Sequence, residues 1–182
     1  MTPWDSLLAA AQAGAEWAWD RLYRELAPRV RGYLVSLGSD DPDDLLGEVW
    51  LQVARKIGSF SGDEAGFRSW VFMIAHHRSI DERRRRSRRP LKLVDDEGRD
   101  DWAGVTESAE ESALAEIGTS EVLRMLDQLT NQQRDVLALR VIGDLTVEQV
   151  AGIVGKRPAA VKALQRRALR TLKRKTEQGV PI

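Results

Sequence analysis

Apolar residues recur every three or four positions over most of the chain, and no stretch alternates with the period of two that a half-buried strand needs. The spacing therefore predicts an all-α protein. A first helix is expected from about Trp4 to Ala13. A second, from Ala15 to about Leu37, sets Trp19, Leu22, Tyr23, Leu26, Val30, Tyr33 and Leu34 on one stripe. Pro28 inside it marks a position where the helix is free to kink. A third helix opens at Asp41-Pro42. Asp41 is suited to accept from a first-turn amide, Pro42 needs no partner for its missing N–H, and Asp43 and Asp44 suit the positive end of the helix dipole. Leu45, Leu46, Val49, Trp50, Val53 and Ile57 make its inward face. A loop from Gly58 to Gly66 leads to a fourth helix carrying Phe67, Trp70, Val71, Ile74 and Ala75, which runs into an arginine block and stops near Pro90. Trp17, Trp19 and Trp50 are assigned to the core, and Trp70 to either core or ligand face.

The period then lapses. The pattern divides the chain into a helical unit at 1–90, a linker at 91–112 and a second helical unit at 113–182. Thr130-Asn131-Gln132-Gln133 and Thr146-Val147-Glu148-Gln149 both have the form of a capping box, in which a threonine and a glutamine three residues apart satisfy each other's amides.

Charge changes this picture. Of 182 residues, 28 are Lys or Arg and 28 are Asp or Glu, a formal net charge of zero. The signs are nevertheless segregated. Residues 78–89 hold seven arginines against Asp81 and Glu82, residues 95–121 hold ten acids against Arg99, and residues 156–175 hold nine bases and no acid. Two basic blocks around an acidic strap suit two polyanion-binding modules. The absence of cysteine excludes a disulfide framework, a Cys-ligated zinc and a thiol nucleophile. No apolar run reaches the ~20 residues of a membrane span, and the start of the chain has no secretory pattern, so a cytoplasmic protein without membrane insertion is expected.

The segment Val147–Leu164 carries the sharpest signal. A short helix with Val147, Val150, Ala151 and Val154 is followed by Gly155 and then by Pro158 at the head of a second helix holding Val161, Leu164 and Ala168. A helix-turn-helix needs a small residue where its helices touch, here Ala151. It needs a turn residue that tolerates positive φ, here Gly155, and apolar anchors on the second helix. Arg157, Lys162, Arg166, Arg167 and Arg170 are left on the outer face, where long cationic side chains reach phosphates and guanine edges in a major groove. A solvated helical hairpin is the plain alternative, and nine bases without an acid weigh against it.

With these motifs placed, the chain resembles the sigma-70 family of RNA polymerase sigma factors, specifically the extracytoplasmic-function (ECF) group. The segments that carry the resemblance are Asp41–Trp50 (DPDDLLGEVW), Phe67–His77 (FRSWVFMIAHH), Ser79–Arg85 (SIDERRR), Leu126–Arg140 (LDQLTNQQRDVLALR), Thr146–Ala151 and Ala160–Ala168. The resemblance implies a dissociable subunit that binds core RNA polymerase through the β′ clamp and the β flap and directs it to promoter DNA. By the same resemblance, Asp41, Asp44, Leu45, Glu48 and Val49 fall on the segment that binds the clamp. Trp70, His76, His77, Arg78 and Asp81 fall on or beside the part that engages the −10 strand, with Arg84 and Arg85 continuing its basic groove. Arg140, Lys162, Ala163, Arg166 and Arg167 fall on the −35 readers, and Arg157 and Arg170 extend that face. An anti-sigma protein that clamps both units is a further partner implied by the family. Four positions depart from the common pattern: Gly47 replaces glutamine, His77 replaces asparagine, and Ala163-Leu164 replace Ser-Arg.

Stacking surfaces beside a basic groove are what unpaired strand capture requires, and Trp70, Phe72, His76 and His77 with the following arginines supply both. The reading needs no catalytic residue, metal or cofactor. Adjacent helical histidines point ~100° apart and rarely share one ion. An all-helical hydrolase lacks converging acid, base and metal ligands. The competing reading is an autonomous helix-turn-helix regulator that binds duplex DNA without polymerase. Such a protein has no use for the 41–50 and 67–85 segments.

Overall fold

The computed structural model describes residues 2–88 and 124–177. Every regular element within them is helical. Helix α1 spans Pro3–Gln12 and starts on a capping box between Thr2 and Asp5. Helix α2 spans Glu16–Ser36 and continues through Pro28. Helix α3 spans Pro42–Lys56, and its N-cap Asp41 accepts from the Asp44 amide at 2.9 Å. A 3₁₀ turn, Ile57–Ser59, follows, and α4 spans Glu64–Arg88. The expected loop at 58–66 is therefore shorter at both ends. The stop expected near Pro90, the linker at 91–112 and the start of the second unit near 113 lie outside the described residues.

The helices bury the predicted stripes. Leu22, Leu26, Val30, Tyr33 and Leu34 of α2 meet Leu45, Leu46, Val49, Trp50 and Val53 of α3 and Phe67, Val71, Phe72, Ile74 and Ala75 of α4. Two aromatic residues break the expectation: Tyr23, expected on the α2 stripe, is 48% exposed, and Trp17 also faces out. Trp17 is 57% exposed, because its neighbour Ala18 takes the inward position and the next side chain on a helix points ~100° away. Trp19 packs against the core and donates its indole N–H to the Ala11 carbonyl at 3.0 Å.

Gly47 sits exposed in the middle of α3, and a methyl group there would meet nothing within 4 Å. Gly47→Ala is thus expected to raise stability by about 0.5–1 kcal/mol, since glycine loses more backbone freedom on folding into a helix. A denaturant midpoint that falls would show that α3 is constrained at this position.

The second unit has a helical turn at 124–127, then α5 (Asn131–Val141), α6 (Val147–Val154) and α7 (Pro158–Glu177). Both threonine capping boxes form, Thr130 with Gln133 and Thr146 with Gln149. Its core divides. Leu126, Leu129, Leu137 and Ala168 form a small separate cluster, whereas Val136, Leu139, Leu145, Val150, Ile153 and Val161 join the core of the first unit. The two units are packed together across α4. No described helix is long and apolar enough to cross a membrane.

Candidate nucleic-acid and polymerase interface

The turn between α6 and α7 is set by one residue. Gly155 adopts φ +63°, ψ +37°, the left-handed conformation that a Cβ disfavours, and the Lys156 amide donates back to the Ala151 carbonyl at 3.0 Å. The chain then re-enters a helix at Pro158. Ala151 is buried where α6 meets α7, and Val161 is fully buried as the anchor of α7. This leaves Arg157, Lys162, Arg166, Arg167 and Arg170 exposed, with Ala163 half-buried at the edge of their face. Arg140 is placed differently. It is half-buried on α5, and its guanidinium donates to the Leu145 carbonyl, tying the end of α5 to the loop that starts α6. Its Nε is buried without a hydrogen-bond partner.

Helix α4 presents distinct faces. Trp70 is half-buried in an aromatic group, with its ring 5.1 Å from Phe60 and 5.6 Å from Phe67. His77 is exposed. Arg78 reaches α3, 3.4 Å from the Glu48 carboxylate and within hydrogen-bond reach of Gln52. Asp81 and Arg84 form an exposed pair at 3.7 Å, a geometry that contributes little in water. Arg85 is exposed and makes no ion pair among the described residues. Arg86 donates to the Gly38 carbonyl and pairs with Asp40 at 3.0 Å, clamping the turn between α2 and α3. The arginine block is thus partly structural and partly solvated.

His76 is 3% exposed, and its Nδ1 shares a 2.9 Å hydrogen bond with the Tyr33 hydroxyl. Burial lowers its pKa, an effect that the nearby Asp135 carboxylate partly opposes and Arg83 and His77 reinforce. Burial also pushes the Tyr33 hydroxyl well up. The folded protein therefore favours neutral His76, while the unfolded chain takes a proton near the ordinary histidine pKa. Stability from this site is complete above about pH 6.5 and is lost as pH falls below it. A His76→Gln protein should show a flatter decline in Tm between about pH 6.5 and 5. Parallel declines would remove His76 as the cause.

On α3, Asp41 and Asp44 are exposed at the N-terminus, and Glu48 is half-exposed beside Arg78. Asp43 is paired with Arg31 at 2.8 Å, and that hydrogen bond holds its carboxyl below the usual range. Leu45 and Val49 are 5% and 0% exposed, so they hold α3 in place and leave the outer face to the acids. Asp135 and Asp144, which pair with Arg83 and Arg68 of α4, were given no role by sequence reasoning. Among the described residues, no three acids or histidines cluster as a metal site.

This arrangement matches known sequence families in the same order. The pattern described as "Sigma-70 region 2" matches residues 22–89, and "Sigma-70, region 4" matches residues 119–172. ECF RNA polymerase sigma factor ShbA of Streptomyces griseus is 33% identical over 75% of this chain and 72% of its own length. The chain belongs to the sigma-70 family, in its ECF group. This ECF chain is also 33% identical to sigma factor BldN of Streptomyces coelicolor, over 92% of the chain, and spans 64% of BldN's length. It is 29% identical to RpoE of Cereibacter sphaeroides over 94% of each. In fold, it resembles CnrH in complex with the cytosolic domain of CnrY, with a TM-score of 0.68 at 20% identity over 94% of this chain and 96% of the other. It likewise resembles a sigma factor RpoE bound to the anti-sigma factor NepR from Bartonella quintana, with a TM-score of 0.64 at 19% identity over 90% and 98%.

Proposed function

We propose that this ECF sigma factor binds core RNA polymerase in the cytoplasm and directs it to promoters. The first unit, residues 1–90, engages polymerase and the −10 element. The second, 113–182, reads the −35 element, and the acidic segment 91–112 joins them. The observation that carries this is the outer face of the helix-turn-helix, where Arg157, Lys162, Arg166, Arg167 and Arg170 stand exposed on a turn fixed by Gly155.

Polymerase contact falls to the exposed Asp41 and Asp44 at the start of α3 and to the half-exposed Glu48. Leu45 and Val49 act beneath them. For the −10 strand, Trp70, His77 and Arg78 are the accessible or half-accessible side chains of α4, continued by Asp81, Arg84 and Arg85. Phe72 and His76, also expected to stack on the strand, are both buried, so they act there only after a rearrangement. Arg140 positions the start of α6 for −35 reading through its bond to Leu145. An anti-sigma protein is a further expected partner, since a solved structure of similar fold is a sigma factor in complex with the anti-sigma factor NepR.

The test is transcription in vitro with purified protein and sigma-free core polymerase on a promoter library. Initiation from a defined subset of templates is expected. Shifting of duplex DNA by the protein alone, with no binding to core, would instead make it an autonomous regulator.

A further inference from the structure

One stripe of α4 is covered along its length by the second unit. The Gln149 side chain donates to the Ala65 carbonyl at 3.2 Å. Asp144 pairs with Arg68 at 3.0 Å. Gly143 lies over Phe72 so closely that an added Cβ would stand 3.4 Å from the ring. Asp135 pairs with Arg83, with Nη1 3.1 Å from Oδ1 and Nη2 donating to Oδ2 at 3.2 Å. From residue 65 to residue 83 this covers about 27 Å of helix.

The two ion pairs are unequal. The Asp144 side chain is 72% exposed, so its pairing is largely screened by water. At the other pair, Arg83 and Asp135 are 22% and 13% exposed. The Asp135 Oδ1 atom is buried with no hydrogen-bond partner, which leaves the Arg83 guanidinium as its compensating charge. The pair lies within electrostatic reach of the Tyr33–His76 hydrogen bond. Removing one member of such a covered pair leaves the other charged and dry, a strongly unfavourable state that separation of the two units would relieve.

We propose that the Arg83–Asp135 pair is a latch that holds the helix-turn-helix unit against α4 in the free chain, with the Asp135 carboxylate standing where a DNA phosphate would bind Arg83. The second half of this rests on the proposed role of α4 in strand capture. The docked unit occupies Arg83, so docking and strand binding compete for one helix. Polymerase or DNA then gains its full affinity only for the opened fraction of molecules.

The absence of cysteine allows a clean distance measurement. Spin labels at Arg29→Cys on α2 and Glu148→Cys on α6, both exposed, report the separation of the units in the full chain by double electron–electron resonance. The wild type should give one narrow distance. Asp135→Asn and Arg83→Gln should each give a broad distribution at longer distances, and the exchange Arg83→Glu with Asp135→Lys should restore the narrow one, which separates a lost latch from a lost fold. Binding of a fluorescent single-stranded promoter oligonucleotide should tighten about tenfold in Asp135→Asn if roughly a tenth of the wild-type chain is open. A broad wild-type distribution, or wild-type distances in both neutral variants, overturns the latch. Opening without any gain in strand affinity keeps the latch and removes α4 from strand capture.

Discussion

Phe72→Ala is expected to cost about 3–5 kcal/mol, a large part of the 5–15 kcal/mol that a domain of this size has in hand. Phe72 is fully buried, packs edge-on against Tyr33 at 5.5 Å and 73°, and is the residue on which Gly143 of the second unit rests. Truncation removes ring contacts from α2, α4 and the 142–145 loop together. Collapse around the void is limited, because Tyr33 is held by its bond to His76. Urea unfolding followed by circular dichroism gives the loss, and Trp17→Ala supplies the contrast. Trp17 is exposed, so its removal should change stability by less than about 0.5 kcal/mol. Calorimetry adds a second readout. A shared core predicts one unfolding transition for both units in the wild type, with both destabilised by the single change. A Phe72→Ala loss below about 1 kcal/mol, or two independent wild-type transitions, would contradict the shared core.

How much of this was legible depended on the range of the interaction. The α3 start followed from Asp41-Pro42 because an N-cap is decided within four residues, and the Gly155 turn and both capping boxes are equally local. Core stripes were legible because periodicity reports a face. It does not report phase perfectly in a helix as amphiphilic as α2, and Trp17 was misplaced by one position on that helix. Leu45 and Val49 show a different ambiguity. Sequence reasoning assigned them both to the inward face and to the partner-binding segment, and their burial agrees with the first of these. His76 carried a readable signal, since it lies four residues after Phe72 and so shares its stripe. The contacts across the two units had none: Arg83 meets an aspartate 52 positions away and Arg68 one 76 positions away, and no local pattern selects those partners from 28 acids.

The largest functional effect is expected on α7. With Lys162 and Arg167 both changed to alanine, holoenzyme affinity for a −35 duplex should fall by about 10- to 100-fold. Each long cationic contact to a phosphate or guanine contributes on the order of 1–3 kcal/mol, and the two are not fully additive. Both side chains are exposed, and neither makes an ion pair among the described residues, so their loss should leave the Tm within about 1 °C. If both meet phosphates, the slope of log affinity against log salt should flatten by about two units, since each neutralised phosphate contributes about 0.9. Two controls separate contact from folding. Lys173 already pairs with Glu177 near the end of α7, so Lys173→Ala should change affinity little. Arg140→Ala should lower the Tm by freeing the Leu145 carbonyl, yet leave the salt slope of the remaining folded protein close to wild type, because its guanidinium is spent on the turn. An unchanged slope in Lys162→Ala/Arg167→Ala would mean that this face does not meet DNA charge. A flattened slope in Arg140→Ala would mean that its guanidinium leaves Leu145 when the promoter binds. The pair of slopes therefore distinguishes a helix that reads DNA from a side chain that only aims it.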